Sequence, residues 1–321
     1  MLSQTIQKGW NRECDSSLVV ALLHGMGLFL YDNIGGEQMR QSMVLTNGNK
    51  IPTIGFGTWK AADDKNEEIL LQAIQAGYRY FDTASFYGTE PYVGKAIKRS
   101  GLAREEFFIA SKVWKDQMGY EETKKAFEGT LTALDTDYLD MYLIHWPIPT
   151  LKMQEKEWKQ LDIDTWRAME ELYKTGKIKA IGVSNFLPHH LANILENCEV
   201  KPMINQLELH PGYMQHVAVM YSKEQGVIPQ AWSPVGRGTV LNAPLIVELA
   251  EKYRVSAAKI CLQYLLQQDI LVIPKASGLE RMKENLADYD FTLTLEDIWR
   301  IDTLPQVGWS GEHPDYERVY L

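Results

Sequence analysis

From residue 43 onward the chain alternates two hydrophobic rhythms. Short runs rich in β-branched and aromatic residues recur as YRYFDTA, FFIASKV, DYLDMYLIH, KIKAIGVS, MINQLEL, VIPQAW and ILVIPKA. Between them, longer stretches such as NEEILLQAIQA, ETKKAFEGTLTAL and DTWRAMEELYKTG carry apolar residues at helical spacing. The short runs are continuously apolar, which predicts strands buried on both faces, as in a parallel sheet enclosed by helices. Asp162 and Asp164 precede one periodic run and predict its start, and Gly176 follows the last periodic residue. The opening text MVLTNGNKIPTIGFGT places two apolar runs around Asn47-Gly48, predicting a β-hairpin with a type I′ turn.

With TIGFGT counted as a strand there are about eight strand-and-helix units, the number of a (β/α)₈ barrel. A doubly wound sheet alternates in the same way, but its dinucleotide fingerprint is missing. IGFGTWK puts Lys60 where the third glycine belongs, and no GxxxxGK[ST] loop occurs. The expectation is an α/β fold, a single TIM barrel over residues 43–321 with an N-terminal hairpin. Residues 1–42 are expected to be an extension outside that core. Within them LVVALLHGMGLFLY, residues 18–31, is too short to span a bilayer, carries His24 and follows Asp15 rather than a basic region. Met39 and Met43 stand just before the first regular element.

A hydrophobic fraction of 45% in 321 residues supports a large core without disulfides or structural metal. The net charge of −9 argues against a nucleic-acid binder working by bulk electrostatics, so any anion held here needs a local cationic cluster. Cys14, Cys198 and Cys261 are odd in number and form no CxxC pair, so neither a disulfide framework nor a zinc site is expected. A cytoplasmic setting and no membrane partner fit that usage. A monomer is expected, with a dimer as the alternative.

In a barrel, the C-terminal strand ends share one face and carry the active site. Read in turn, those ends offer Asp82 after YRYF, Lys112 after FFIAS and His145 after DMYLI, with Tyr87 in the loop beyond Asp82. A phenol is a poor proton donor unless its anion is stabilised. A Lys112 charge about 4 Å away is worth roughly 4 kcal/mol at an effective dielectric of 20, or about three pKa units. Asp82 would keep the lysine charged while giving back part of that shift, and His145 would hydrogen-bond a substrate oxygen. Such a set suits protonating an oxygen that gains charge as its carbon accepts hydride. Taken singly, each residue has a plainer reading: a turn aspartate, a buried ion pair, a structural histidine, a packed tyrosine. Their placement at three neighbouring strand ends, taken with the family resemblance carried by the segments around them, favours the chemical one.

Those residues lie in segments that resemble the aldo-keto reductase superfamily: GFGTW, FDTASFYGTEPYVGKAI, SKVW, LIHWP, GVSNF, NQLELHP, AWSPVG and IPKASGLERMKEN, in the family's order from about residue 44 to 300. The resemblance implies a single barrel with the hairpin across its bottom and a catalytic tetrad of Asp82, Tyr87, Lys112 and His145. Tyr87 would be the general acid, tuned by Lys112 and Asp82, while His145 orients the carbonyl. Relatives that reduce steroid double bonds carry glutamate at the histidine position, so His145 favours carbonyl chemistry. Ser184, Asn185 and Gln206 would hold the nicotinamide carboxamide and Trp232 would stack on its ring. That tryptophan is similar to bacterial 2,5-diketo-D-gluconate reductase-like members. Lys275 and Arg281 would grip a 2′-phosphate, with Glu284 and Asn285 near the adenine. Thr58, Trp59, Ser233, Val235, Gly236, Ala276 and Ser277 complete the implied cofactor contacts. Ala276 stands where many NADP-preferring members have a hydroxyl, so NADPH is expected with NADH still open. Trp59, Phe86, Trp114, His145, Trp146 and Trp309 would line the site for a small-molecule carbonyl, the last from a C-terminal specificity loop.

Three competing readings follow from the same text. Tyr173 and Lys177 have the YxxxK spacing of short-chain dehydrogenases, but Gly176 interrupts them and that family's glycine-rich loop is absent. A barrel that senses nucleotide without turnover would keep the tetrad, and only an assay separates it. A metal-dependent hydrolase would need His and Asp ligands at the strand ends, where only His145 and His210 stand. No metal is therefore expected.

Overall fold

The computed structural model describes residues 41–62 and 68–316. The part of the expected extension up to residue 40, including residues 18–31, and Cys14 lie outside the described residues. Strands β1 (Ser42–Val44) and β2 (Lys50–Pro52) form the antiparallel hairpin. Its turn differs from the expectation: only Gly48 of the Asn47-Gly48 pair is left-handed (φ 86°), whereas a type I′ turn needs both. The Gly48 amide donates to Leu45 O at 2.9 Å and the Leu45 amide to Asn49 O at 2.8 Å. This is a three-residue loop with a glycine bulge. Asn47 stays right of that conformation because its side-chain oxygen accepts from the Asn49 amide and its Nδ2 donates to Lys179 O.

Eight parallel strands follow: β3 (Phe56–Gly57), β4 (Tyr80–Asp82), β5 (Phe108–Val113), β6 (Met141–Ile144), β7 (Ile181–Ser184), β8 (Ile204–Glu208), β9 (Ile228–Trp232) and β10 (Leu271–Val272). They hydrogen-bond in sequence order, each to the next. The sheet closes on itself where Ile54 bridges Val272, with the Gly55 amide donating to Val272 O and the Gly57 amide to Pro274 O. A (β/α)₈ barrel results, as its continuous apolar strands require.

Helices cover the outside: α1 (Glu68–Ala76), α2 (Glu90–Ser100), α3 (Tyr120–Leu134), α4 (Glu155–Lys174), α5 (Pro188–Leu195), α6 (His216–Glu224), α7 (Pro244–Tyr253), α8 (Ala257–Leu266), α9 (Leu279–Leu286) and α10 (Leu295–Asp302). Helix α4 begins well before the expected start. Glu157 accepts from the Gln154 amide at the true N-terminus, and Trp158 is buried in the first turn. Asp162 consequently lies inside the helix, fully buried, and burial holds its carboxyl well above the usual range. Gly176 does end the helix in a left-handed conformation (φ 78°). No helix among the described residues is long and apolar enough to cross a membrane.

Leu45 and Ile51 of the hairpin join Tyr80, Phe108, Met141, Leu143, Met203 and Leu271 in one buried cluster. Asn47 and Asn49 fasten the hairpin to Lys179 O just before β7, at the N-terminal end of the strands. With the bottom plugged, the opposite mouth is the open end. Tyr173 accepts from Asn47 and Lys177 pairs with Glu128, so the YxxxK pair serves this bottom region rather than the mouth.

Candidate active site

Register brings the tetrad together. Asp82 pairs with Ala110 across β4 and β5, and Lys112, two residues further along, faces Leu143 of β6. The Lys112 ammonium donates to Asp82 Oδ1 at 2.5 Å and to Thr83 O at 2.9 Å, and lies 3.5 Å from the Tyr87 hydroxyl. On its other side that hydroxyl is 3.3 Å from His145 Nε2. A short 3₁₀ turn, Ser85–Tyr87, lifts the phenol over the strand end, closed by Gly88 at φ 67°.

Electrostatics at this point differ from the sequence expectation. Burial, and then the Asp82 charge, push the Tyr87 phenol well above its ordinary value instead of lowering it. Burial is the main reason, and Lys112 offsets it only in part because its ammonium is in contact with Asp82 and an ångström further from the phenol. Burial also pulls Lys112 down, opposed by Asp82 and by the buried Glu90 behind it. His145 is held well below the histidine range by burial, Lys112 and Lys115 and is therefore neutral. Its Nδ1 is buried without a partner, and a proton there would go unsatisfied. The ring proton consequently belongs on Nε2, facing the mouth.

A second network is fixed by donors that have no choice. Gln206 Nε2 donates to Asp82 Oδ2 at 2.8 Å and to Gln230 Oε1 at 2.7 Å, so both amide hydrogens are used and Oε1 remains as an acceptor. The Trp232 indole, a donor only, reaches Asn185 Oδ1 at 2.9 Å, which turns Asn185 Nδ2 onto His145 O at 2.9 Å. Ser184 Oγ donates to Gln206 O. Asn185 (φ 64°) and Ser233 (φ 49°), directly after β7 and β9, are left-handed, a conformation that non-glycine residues keep where surrounding structure enforces it.

Asp82, Tyr87, His145, Ser184, Asn185, Gln206, Trp232 and Ser233 open on a single cleft of about 1200 Å³. Lys112 and Gln230 are fully buried behind them. Thr58, Trp59, Val235, Ala276, Ser277, Glu284 and Asn285 line the cleft, as do Phe86, Trp114 and Trp146. Gly236 and Trp309 are not in that lining. A Cβ on Gly236 would come within 2.4 Å of Val240. Trp309 stacks on Tyr213 and donates to Glu312 O, so it props the C-terminal segment without lining the cleft. That segment is further held by Ser310 on Glu208 and by Asp315 beside His189 and His190. The last three could suggest a cation, their ligand atoms lying within 4.8 Å of one another. However, His190 Nδ1 accepts the Leu187 amide at 3.2 Å, which leaves the ring proton on Nε2, toward Asp315. The imidazole is a donor there, not a ligand.

Sequence reasoning missed two cations. Lys60 and Arg237 line the cleft with Lys275 and Arg281, and among the described residues none of the four has a carboxylate at ion-pair distance. The Lys60 ammonium lies 4.5 Å and the Arg237 guanidinium 5.0 Å from the Trp59 ring centroid, while Lys275 donates to Lys60 O. Burial, then the Lys60 charge, pull Lys275 below its ordinary value, a repulsion that a bound anion relieves. The signal was a cation after GFGTW and another between two glycines in VGRGT. Unpaired cations fit the phosphates of an adenine dinucleotide, and the remaining acceptor on Gln206 fits a carboxamide N–H.

A closed parallel barrel with these groups at its strand tips defines a (β/α)₈ barrel oxidoreductase. Residues 53–305 match the model of the aldo/keto reductase family, and the chain belongs to that family. It is 44% identical over 279 residues to glyoxal reductase of Bacillus subtilis (strain 168), covering 86% of this chain and 97% of that protein. Methylglyoxal reductase DkgA of Salmonella typhimurium is 37% identical over 273 residues, covering 84% and 96%. Among solved structures, an aldo/keto reductase from Brucella melitensis superposes with a TM-score of 0.75 at 40% identity, over 81% of this chain and 98% of that one.

Proposed function

We propose that the protein is an NADPH-dependent carbonyl reductase that converts aldehydes or ketones to alcohols, with Tyr87 as the general acid. The observation that carries this reading is the Tyr87 hydroxyl poised between Lys112 at 3.5 Å and His145 Nε2 at 3.3 Å, at the mouth of a cleft lined by cations with no carboxylate at ion-pair distance among the described residues. Relatives named for reducing glyoxal and methylglyoxal point to the same reaction class.

The reduced nicotinamide supplies hydride to the carbonyl carbon. Gln206 and Ser184 hold the carboxamide, Asn185 braces Trp232 against the ring, and Lys60, Arg237, Lys275 and Arg281 take the phosphates. Lys275 and Arg281 favour NADPH over NADH through the 2′-phosphate. His145 Nε2–H and the Tyr87 hydroxyl both donate to the carbonyl oxygen. As negative charge develops on that oxygen the Tyr87 proton moves to it, and solvent later reprotonates the phenolate. A raised phenol pKa does not obstruct this, because an alkoxide is a stronger base still; it keeps Tyr87 protonated for reduction and makes it a reluctant base for oxidation. Lys112 stabilises the phenolate as it forms, and Phe86 and Trp114 shield the site, their rings stacked at 3.8 Å.

The test is steady-state reduction of 4-nitrobenzaldehyde with NADPH and with NADH. Turnover to the alcohol, faster with NADPH, is expected. Tight NADPH binding with no turnover of any carbonyl in a broad panel would overturn the reading in favour of a nucleotide sensor.

A further inference from the structure

The substrate half of the cleft holds a cation that the chemistry above does not use. Lys115 follows β5 directly after Trp114, half-buried, with its ammonium 4.9 Å from the Trp146 ring centroid and 5.9 Å from that of Trp114. Several surface lysines find carboxylates, such as Lys98 with Asp135, Lys124 with Glu171, Lys174 with Glu199 and Lys177 with Glu128. Among the described residues Lys115 has none at ion-pair distance, and only the Glu312 charge, from the C-terminal segment, acts on it. Burial pulls its ammonium below the ordinary value, and aromatic faces compensate a desolvated cation only in part. Its charge reaches His145, whose ring lies 4.9 Å from that of Trp114. A substituent on a carbonyl held at His145 is therefore within its field.

We propose that Lys115 is an anion subsite, so that the preferred substrates are aldehydes or ketones bearing a carboxylate on the side away from the nicotinamide. This rests on the carbonyl-reductase reading and adds a substrate class to it. Trp114 and Trp146 wall the ammonium from bulk water, so a carboxylate that meets it there gains more than it would on an open surface. Glu312 opposes the same guest and sets an upper limit on the preference.

The test pairs two aldehydes that differ in charge, 4-carboxybenzaldehyde and 4-nitrobenzaldehyde, with two alcohols that cannot react on NADPH-loaded protein, 4-carboxybenzyl and 4-nitrobenzyl alcohol. Lys115→Met is expected to raise KM for the carboxylate aldehyde about tenfold and to weaken its alcohol equally by calorimetry, with the nitro pair changed less than about twofold. Lys115→Arg retains the preference, and Glu312→Gln increases it. Equal losses on charged and neutral ligands, or no loss on the charged one, would overturn the subsite and leave Lys115 a packing residue. Absent turnover of both aldehydes with the alcohol preference intact would instead sink the reductase reading while the subsite stands.

Discussion

The Lys112 ammonium meets Asp82 Oδ1 at 2.5 Å inside the barrel, with 0% and 2% of the two side chains exposed. A buried pair of this kind is costly to break from one side, because the survivor is left charged without a partner. Asp82→Leu and Lys112→Met are each expected to lower unfolding free energy by about 3 kcal/mol, and the double variant by less than the sum. A urea denaturation cycle measures this; additive losses would mean that the pair is not coupled.

The two perturbed groups at the mouth set a pH profile. His145 is held well below the histidine range and Tyr87 well above the phenol range, so each stays in its neutral form across the middle of the scale. For reduction, kcat/KM is expected to be flat from about pH 6 to 9, and oxidation of the alcohol to rise with pH as phenolate becomes accessible. An acid limb near the ordinary histidine value would contradict the assignment of His145.

Removing charge at Lys275 or Arg281 is expected to separate the two nucleotides. Lys275→Met and Arg281→Met should each weaken NADPH about tenfold while changing NADH much less. Fluorescence titration reads both; equal losses for the two cofactors would place these cations on the pyrophosphate instead.

Far from the site, Asp297 lies in the first turn of α10, which Thr294 caps, and its carboxylate accepts from Lys252, Tyr253 and Thr294. Burial alone would raise its carboxyl, but these donors bring it down to about 2. Its folded value is below its unfolded one, so it stabilises the protein above pH 4 or so, and that contribution is lost as pH falls toward 2. Asp297→Asn should flatten the fall in urea midpoint across that window; an unchanged fall would assign acid unfolding to other carboxylates.

Much of this was legible in the chain itself, for a physical reason. Strands buried on both faces must be apolar throughout, so barrel strands announce themselves, and a chemical residue at a strand end interrupts the run, as Asp82, Lys112 and His145 do. What stayed hidden depends on three-dimensional spacing. Burial of the phenol, followed by the Asp82 charge that holds the ammonium closer to itself, reversed the expected shift of Tyr87. Lys60, Arg237 and Lys115 look like ordinary surface charges until the fold shows that they face a cleft with no carboxylate at ion-pair distance among the described residues. Asp162 misled because an aspartate before an apolar run usually starts a helix, whereas here Trp158 extends the buried face a turn earlier. The resemblance put Gly236 and Trp309 at the site, whereas the cleft lining omits them and they pack beside Val240 and Tyr213.

The central claim is that Tyr87 delivers the proton to the reduced carbonyl. Its most direct test is Tyr87→Phe, measured for NADPH affinity and for 4-nitrobenzaldehyde reduction in the same preparation. The variant is expected to bind NADPH as the parent does while losing at least about a hundredfold in kcat. Turnover within a few-fold of the parent would contradict the account.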